Sequence, residues 1–101
     1  MRRDAIAVVG AGKGGTDILE TLLKMPDVVI RHVCDTNPDA PGMIIAREHG
    51  IARHSDLESV CRDDGLDLIF EATGSRAVYE KILAAKHPRQ MPLPDRSHGQ
   101  L

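Results

Sequence analysis

The chain has no Trp and only one aromatic of each other kind, Tyr79 and Phe70, in 101 residues. A protein that stacks the bases of single-stranded nucleic acid needs aromatic faces, so that class is excluded. Charge of one sign is lacking too. Thirteen Lys and Arg against fifteen Asp and Glu give a net charge of -2, so there is no basic footprint for a duplex. No apolar run is long enough to span a bilayer. The start, Met1-Arg2-Arg3-Asp4, leads straight into a short strand pattern without the core of a signal peptide. The two cysteines, Cys34 and Cys61, form no C-x-x-C pair and read as small buried hydrophobes, as expected of a cytoplasmic chain.

What is present begins with Ile6-Ala7-Val8-Val9-Gly10-Ala11-Gly12-Lys13-Gly14-Gly15. An apolar strand runs into a glycine loop, and a helical pattern follows. Gly10, Gly12 and Gly15 fit G-x-G-x-x-G in the order that this motif requires. Each glycine has its own physical task. Gly10 turns the chain out of the strand, Gly12 lets a pyrophosphate approach the backbone, and Gly15 lets the helix lie close to the strand. The unpartnered N–H groups at the helix start attract an anion. Gly14 continues this turn, and Lys13 either contacts phosphate or is a solvated loop lysine. The loop does not read as a P-loop, because Lys13 precedes glycine rather than Ser or Thr.

The rest of the chain alternates strand and helix. A helix is expected from about Gly14 to Met25, with Ile18, Leu19, Leu22 and Leu23 as its apolar stripe and Pro26 as its stop. Val28 to Cys34 reads as the second strand and ends at Asp35-Thr36. Asp35 lies twenty residues after Gly15, where a carboxylate accepts hydrogen bonds from the adenine-ribose hydroxyls of NAD and repels the 2′-phosphate of NADP. Its turn-forming neighbours offer a second reading, as a turn residue. A second helix opens at Pro41 and stops at Gly50.

Ile51 to His54 is a weak third strand, and Ser55 to Glu58 fits a capping box with Ser55 as N-cap. Leu66 to Phe70 is the fourth strand. A loop at Glu71-Ala72-Thr73-Gly74 leads through the N-cap Ser75 to a helix from about Arg76 to Lys86, whose inner face is Val78, Ile82 and Leu83. Glu71 and Asp67 could be read as acid and base, but no third group in the sequence orients them. His49, His54 and Cys61 fit no standard metal spacing.

Parallel β-α units with right-handed crossovers follow: an α/β, three-layer Rossmann-type sheet of order 3-2-1-4 over residues 1–87. Residues 88–101 carry three prolines and no periodicity, so they are expected to form a disordered tail, with the sheet ending before a fifth strand. The bare edge of a four-stranded sheet favours a homodimer.

Residues Ile6 to Gly15, Val33-Cys34-Asp35 and Leu68 to Gly74 resemble the NAD-binding domain of the glucose–fructose oxidoreductase and inositol dehydrogenase family, a pattern shared with homoserine and aspartate dehydrogenases. The resemblance implies that Gly10, Gly12, Lys13, Gly14 and Gly15 hold the pyrophosphate. It also implies that Asp35 and Thr36 meet the adenosine side, and that Ala72, Thr73 and Gly74 lie near the nicotinamide ribose. NAD or NADH is the implied cofactor, in preference to NADP. The family's Glu-Lys-Pro strand is not matched, since Glu80-Lys81 lies inside the last helix and is followed by Ile82. The expectation is therefore a cofactor-binding or redox-sensing module with no catalytic residue of its own. The alternatives are the cofactor part of an NAD-dependent dehydrogenase, or a domain kept for assembly alone.

Overall fold

The computed structural model describes residues 3–85 and 91–94. The elements are β1 (Asp4–Val9), α1 (Lys13–Leu23), β2 (Val28–Cys34), α2 (Pro41–Glu48), β3 (Ala52–His54), α3 (Leu57–Cys61), β4 (Leu68–Glu71), α4 (Arg76–Ala85) and β5 (Met91–Pro94). They build a parallel sheet of order β3-β2-β1-β4-β5. The expected order 3-2-1-4 is present, and a further strand extends it.

That extension corrects the expected tail. Met91–Pro94 pairs in register with Leu68–Glu71, so the sheet does not end at β4. The prolines argue against a central strand, and β5 stands at the edge of the sheet among the described residues. Pro92 and Pro94 are two residues apart, so their missing N–H groups fall on one side of the backbone, and an edge strand can turn that side away from its neighbour. β5 also occupies the edge from which pairing between copies was expected. The other residues of the expected tail lie outside the described ones.

β1 is central, and its alternation explains the layers. Ile6 and Val8 face one side, packed with Leu22, Ile18, Leu68 and Phe70. Ala5, Ala7 and Val9 face the other, packed with Val60, Ile69, Ile82, Leu57 and Val78 from β4 and the helices α3 and α4. A third cluster joins α1 to α2 through Leu19, Met43 and Ala46 over Val33 of β2. The small residues on the α3/α4 face of β1 let those helices lie close. The α1 stripe is buried as expected, whereas Leu83 is 40% exposed and only Val78 and Ile82 of the expected inner face of α4 meet the core.

The register of β2 against β1 slips between Ile6 and Ala7, which pair with Ile30 and His32 and leave Arg31 as the extra residue. Such a bulge re-aims side chains. Arg31 and His32 both reach Asp63, just past α3: the guanidinium Nη2 lies 2.7 Å and His32 Nε2 2.7 Å from Asp63 Oδ2. His32 Nδ1 in turn lies 2.9 Å from His54 Nε2 at the end of β3. This chain of groups ties α3 to two strands. Burial opposes ionisation of Asp63, but the hydrogen bonds of His32 and the Gly65 N–H and the charge of Arg31 outweigh it and hold the carboxyl below its usual range.

Burial and the charge of His32 push His54 below 6.5, against the pull of Asp56. Its folded value is thus lower than its unfolded one. The associated stability is present above about 6.5 and declines as the pH falls below it, because the unfolded chain takes the proton first. Asp63 has the same sign in a lower window, below its ordinary 3.8. The thermal midpoint is therefore expected to hold from pH 7.5 to about 6.5 and to drop from there to pH 5, and His54→Gln should flatten that drop. A midpoint independent of pH over this range would mean that the network does not couple to folding.

Candidate dinucleotide site

The glycine turn sits at the C-terminal end of β1. Gly10 has φ 97°, and a Cβ there would stand 2.9 Å from both the Ala72 carbonyl carbon and the Thr73 nitrogen, so only glycine fits. A Cβ at Gly15 would fall 1.7 Å from the Gly10 carbonyl oxygen, which fixes how closely α1 crosses the strand end. At Gly12 the corresponding space is open, with nothing within 4 Å. The first helical bond of α1 is from Thr16 N–H to the Gly12 carbonyl, 2.8 Å. The cap residue Gly12 supplies no side chain, and no acidic residue stands in the first turn. The N–H groups of Lys13, Gly14 and Gly15 thus begin the helix without intrahelical partners, at the positive end of its dipole. Lys13 and Gly14 are exposed beside them, and Asp17 points outward.

Asp35 follows β2, one strand over. Its Oδ2 accepts from the Ala11 N–H at 2.7 Å, and its Oδ1 accepts from the Asn37 N–H at 2.8 Å. The reading as a turn residue holds, and the same carboxylate also pins the glycine loop, a contact the sequence did not suggest. Each oxygen keeps a second lone pair for another donor.

On the α3/α4 face a cleft of about 710 Å³ opens beside Gly10, and Asp35, Thr36, Thr73, Ser55, Asp56, Leu57 and Lys81 line it with others. Of the expected site residues, Gly10, Asp35, Thr36 and Thr73 come together here. Gly12, Lys13 and Gly14 stand exposed at the start of α1, Gly15 is buried beneath them, Ala72 is half-buried, and Gly74 is exposed with φ 73°. Cys34 and Cys61 also line the cleft. Burial, then the charges of Asp56 and Asp35, push the Cys34 thiol up to about 11, and burial alone raises Cys61. Neither is a ready nucleophile.

Ser55 to Leu57 went unrecognised as part of the site, because their pattern read as capping alone. The cap itself is corrected: Asp56, not Ser55, accepts the Ser59 N–H at 2.9 Å and starts α3. The two carboxylate oxygens of Asp56 accept from both the N–H and the hydroxyl of Ser59. The signal that could have found them is topological. Order 3-2-1 sets the end of β3 next to Asp35, and the Asp35 N–H indeed donates to the His54 carbonyl at 3.0 Å. Ser75 caps α4 as expected, through the Val78 N–H at 3.3 Å.

Among the described residues, no helix is long and apolar enough to cross a membrane. No family model matches the chain. The acetaldehyde dehydrogenase of Chloroflexus aurantiacus is 31% identical over 98 residues, which are 95% of this chain and 29% of that protein. Acetaldehyde dehydrogenase 1 of Novosphingobium aromaticivorans is 33% identical over 92 residues, 84% of this chain and 30% of its own length. Among solved structures, GenD2 from gentamicin A biosynthesis, in complex with NAD, superposes with a TM-score of 0.79 at 26% identity over 93% of this chain and 27% of GenD2. The homoserine dehydrogenase of S. aureus superposes with a TM-score of 0.77 over 93% of this chain and 26% of that one, and at 19% identity the likeness is one of fold. Homoserine dehydrogenase stood in the resemblance drawn from the motifs, and acetaldehyde dehydrogenase did not. The chain spans about three-tenths of the curated relatives that it matches, and its sheet is that of a Rossmann-type domain similar to the corresponding part of known oxidoreductases.

Proposed function

We propose that this chain is an NAD(H)-binding module and serves as the cofactor-binding part of a dehydrogenase. One observation carries the reading. The open approach at Gly12, the free N–H groups at the start of α1 and the oriented carboxylate of Asp35 together form a cradle for a pyrophosphate and its adjacent ribose. The residues present fit the cofactor: the glycine turn would hold its phosphates and Asp35 its ribose hydroxyls. When bound, NAD would supply a hydride acceptor, and this chain's residues would bind and orient it. Asp35 favours NAD over NADP, because a 2′-phosphate would bring a second anion against its carboxylate.

The acetaldehyde dehydrogenases and the NAD complex of GenD2 support the dehydrogenase reading over the redox-sensing one. An oxidation of an aldehyde by NAD would need residues beyond those matched here. Calorimetric titration of the chain with NAD, NADH, NADP and ADP-ribose is the test. Binding of NAD and NADH with comparable affinity, and of NADP at least about tenfold more weakly, is the expected outcome. A marked NADH preference would favour sensing instead. No binding to folded chain would leave the motif as architecture. Self-association is tested on the same sample by sedimentation, where a monomer at high concentration ends the dimer reading.

A further inference from the structure

Glu71 is a carboxylate with no exposed surface, at the last position of β4 and beside Val9 of β1. It faces the end of the sheet where the glycine turn lies. A group of this kind is costly to bury without hydrogen bonds. Its Oε2 accepts from the Thr73 N–H at 2.6 Å and, in a short hydrogen bond, from the Thr73 hydroxyl. The same Thr73 oxygen accepts the Ser75 N–H at 3.0 Å, and Ser75 caps α4. A series of bonds therefore runs from the buried carboxylate through the loop into the helix. The loop it fastens is the one that touches Gly10, since Ala72 and Thr73 fill the space where a Gly10 side chain would stand.

The sheet order gives this contact a direction. β1 lies between β2 and β4, so a dinucleotide with its pyrophosphate over β1 sends its adenosine half toward β2 and its other half toward β4. Asp35 serves the first side, and the Glu71-held loop stands on the second. We propose that Glu71 is a positioning residue that fixes the Ala72–Gly74 loop against the glycine turn and so builds the nicotinamide-side wall of the site. This rests on the dinucleotide reading above.

The test has a ligand-free arm and a binding arm. Glu71→Leu keeps the volume and removes the acceptors. Amide exchange at Thr73 and Ser75, followed by NMR on the ligand-free chain, is expected to accelerate about tenfold or more while β1 amides keep their protection. NAD affinity is expected to fall about tenfold more than that for ADP, which lacks the nicotinamide half. Thr73→Val, at an exposed position, should reproduce a weaker form of both effects if the Leu variant does not fold. Glu71→Gln, which keeps an acceptor for the Thr73 N–H, should restore most of the protection and the affinity.

Unchanged exchange in the Leu and Val variants overturns the proposal outright. Faster exchange with equal losses for NAD and ADP also overturns it, by making Glu71 a general structural group. A native chain that binds neither ligand, yet shows faster exchange in the variants, brings down the dinucleotide reading, and this one with it.

Discussion

Asp35→Ala is expected to weaken NAD binding about 10- to 100-fold, the equivalent of the about 1.5–3 kcal/mol carried by hydrogen bonds to a charged group. Two losses combine. The ribose hydroxyls lose their acceptor, and the glycine loop loses the bond from Ala11 N–H to Asp35 Oδ2 that pins it. The variant should also bind NAD and NADP alike, because the carboxylate that repels the 2′-phosphate is gone. Asp35→Asn separates the two effects. An amide oxygen can still accept from Ala11, so loop order is retained while the charge discrimination is lost. Titration of both variants against both nucleotides reads this directly. If Asp35→Ala binds NAD as tightly as the native chain, the carboxylate is a turn residue and nothing more.

Gly15→Ala should be the most destabilising single-methyl change in the glycine turn. The added carbon would sit 1.7 Å from the Gly10 oxygen and 2.6 Å from its carbon, both backbone atoms of a turn that cannot swing away. α1 must lift from β1, at a cost of about 3 kcal/mol, the upper part of the overpacking range. For a domain of this size that corresponds to roughly 12–24 °C in the thermal midpoint. The control is Gly12→Ala, whose new carbon meets nothing within 4 Å. It should melt within about 1 kcal/mol of the native chain, the helix-propensity scale of a glycine change, yet bind NAD poorly, since the methyl occupies the approach of the pyrophosphate. Calorimetric melting with a parallel titration distinguishes them. Similar midpoints for Gly15→Ala and the native chain would contradict the close helix–strand contact.

These outcomes bear on how much could be read in advance. The glycine turn, the second strand with Asp35 at its end and the Ser75 cap are local patterns, and each stands where its residues implied. Part of what escaped was made by distant partners. The bulge at Arg31 arises from pairing with β1, and only then do Arg31 and His32 converge on Asp63. Glu71 looked unsupported because Thr73, two residues on, folds back to it through a loop closed against Gly10. β5 was missed because proline was weighed by its count, while its spacing of two and the edge position decide whether it is tolerated. The cap of α3 moved by one residue, from Ser55 to Asp56, which is the scale on which competing caps differ.

The central place of β1 has a kinetic consequence. Its pairing with β2 closes a short β-α-β loop, whereas its pairing with β4 joins residues as far apart as Ala5 and Asp67, 62 positions along the chain. Contacts of such separation form late, after the local unit has condensed. A nascent chain released only as far as α3 would hold the glycine turn on a strand with one flank bare and without the loop that closes on Gly10. Competence to grip a nucleotide should therefore emerge only once the last third of the chain has been added.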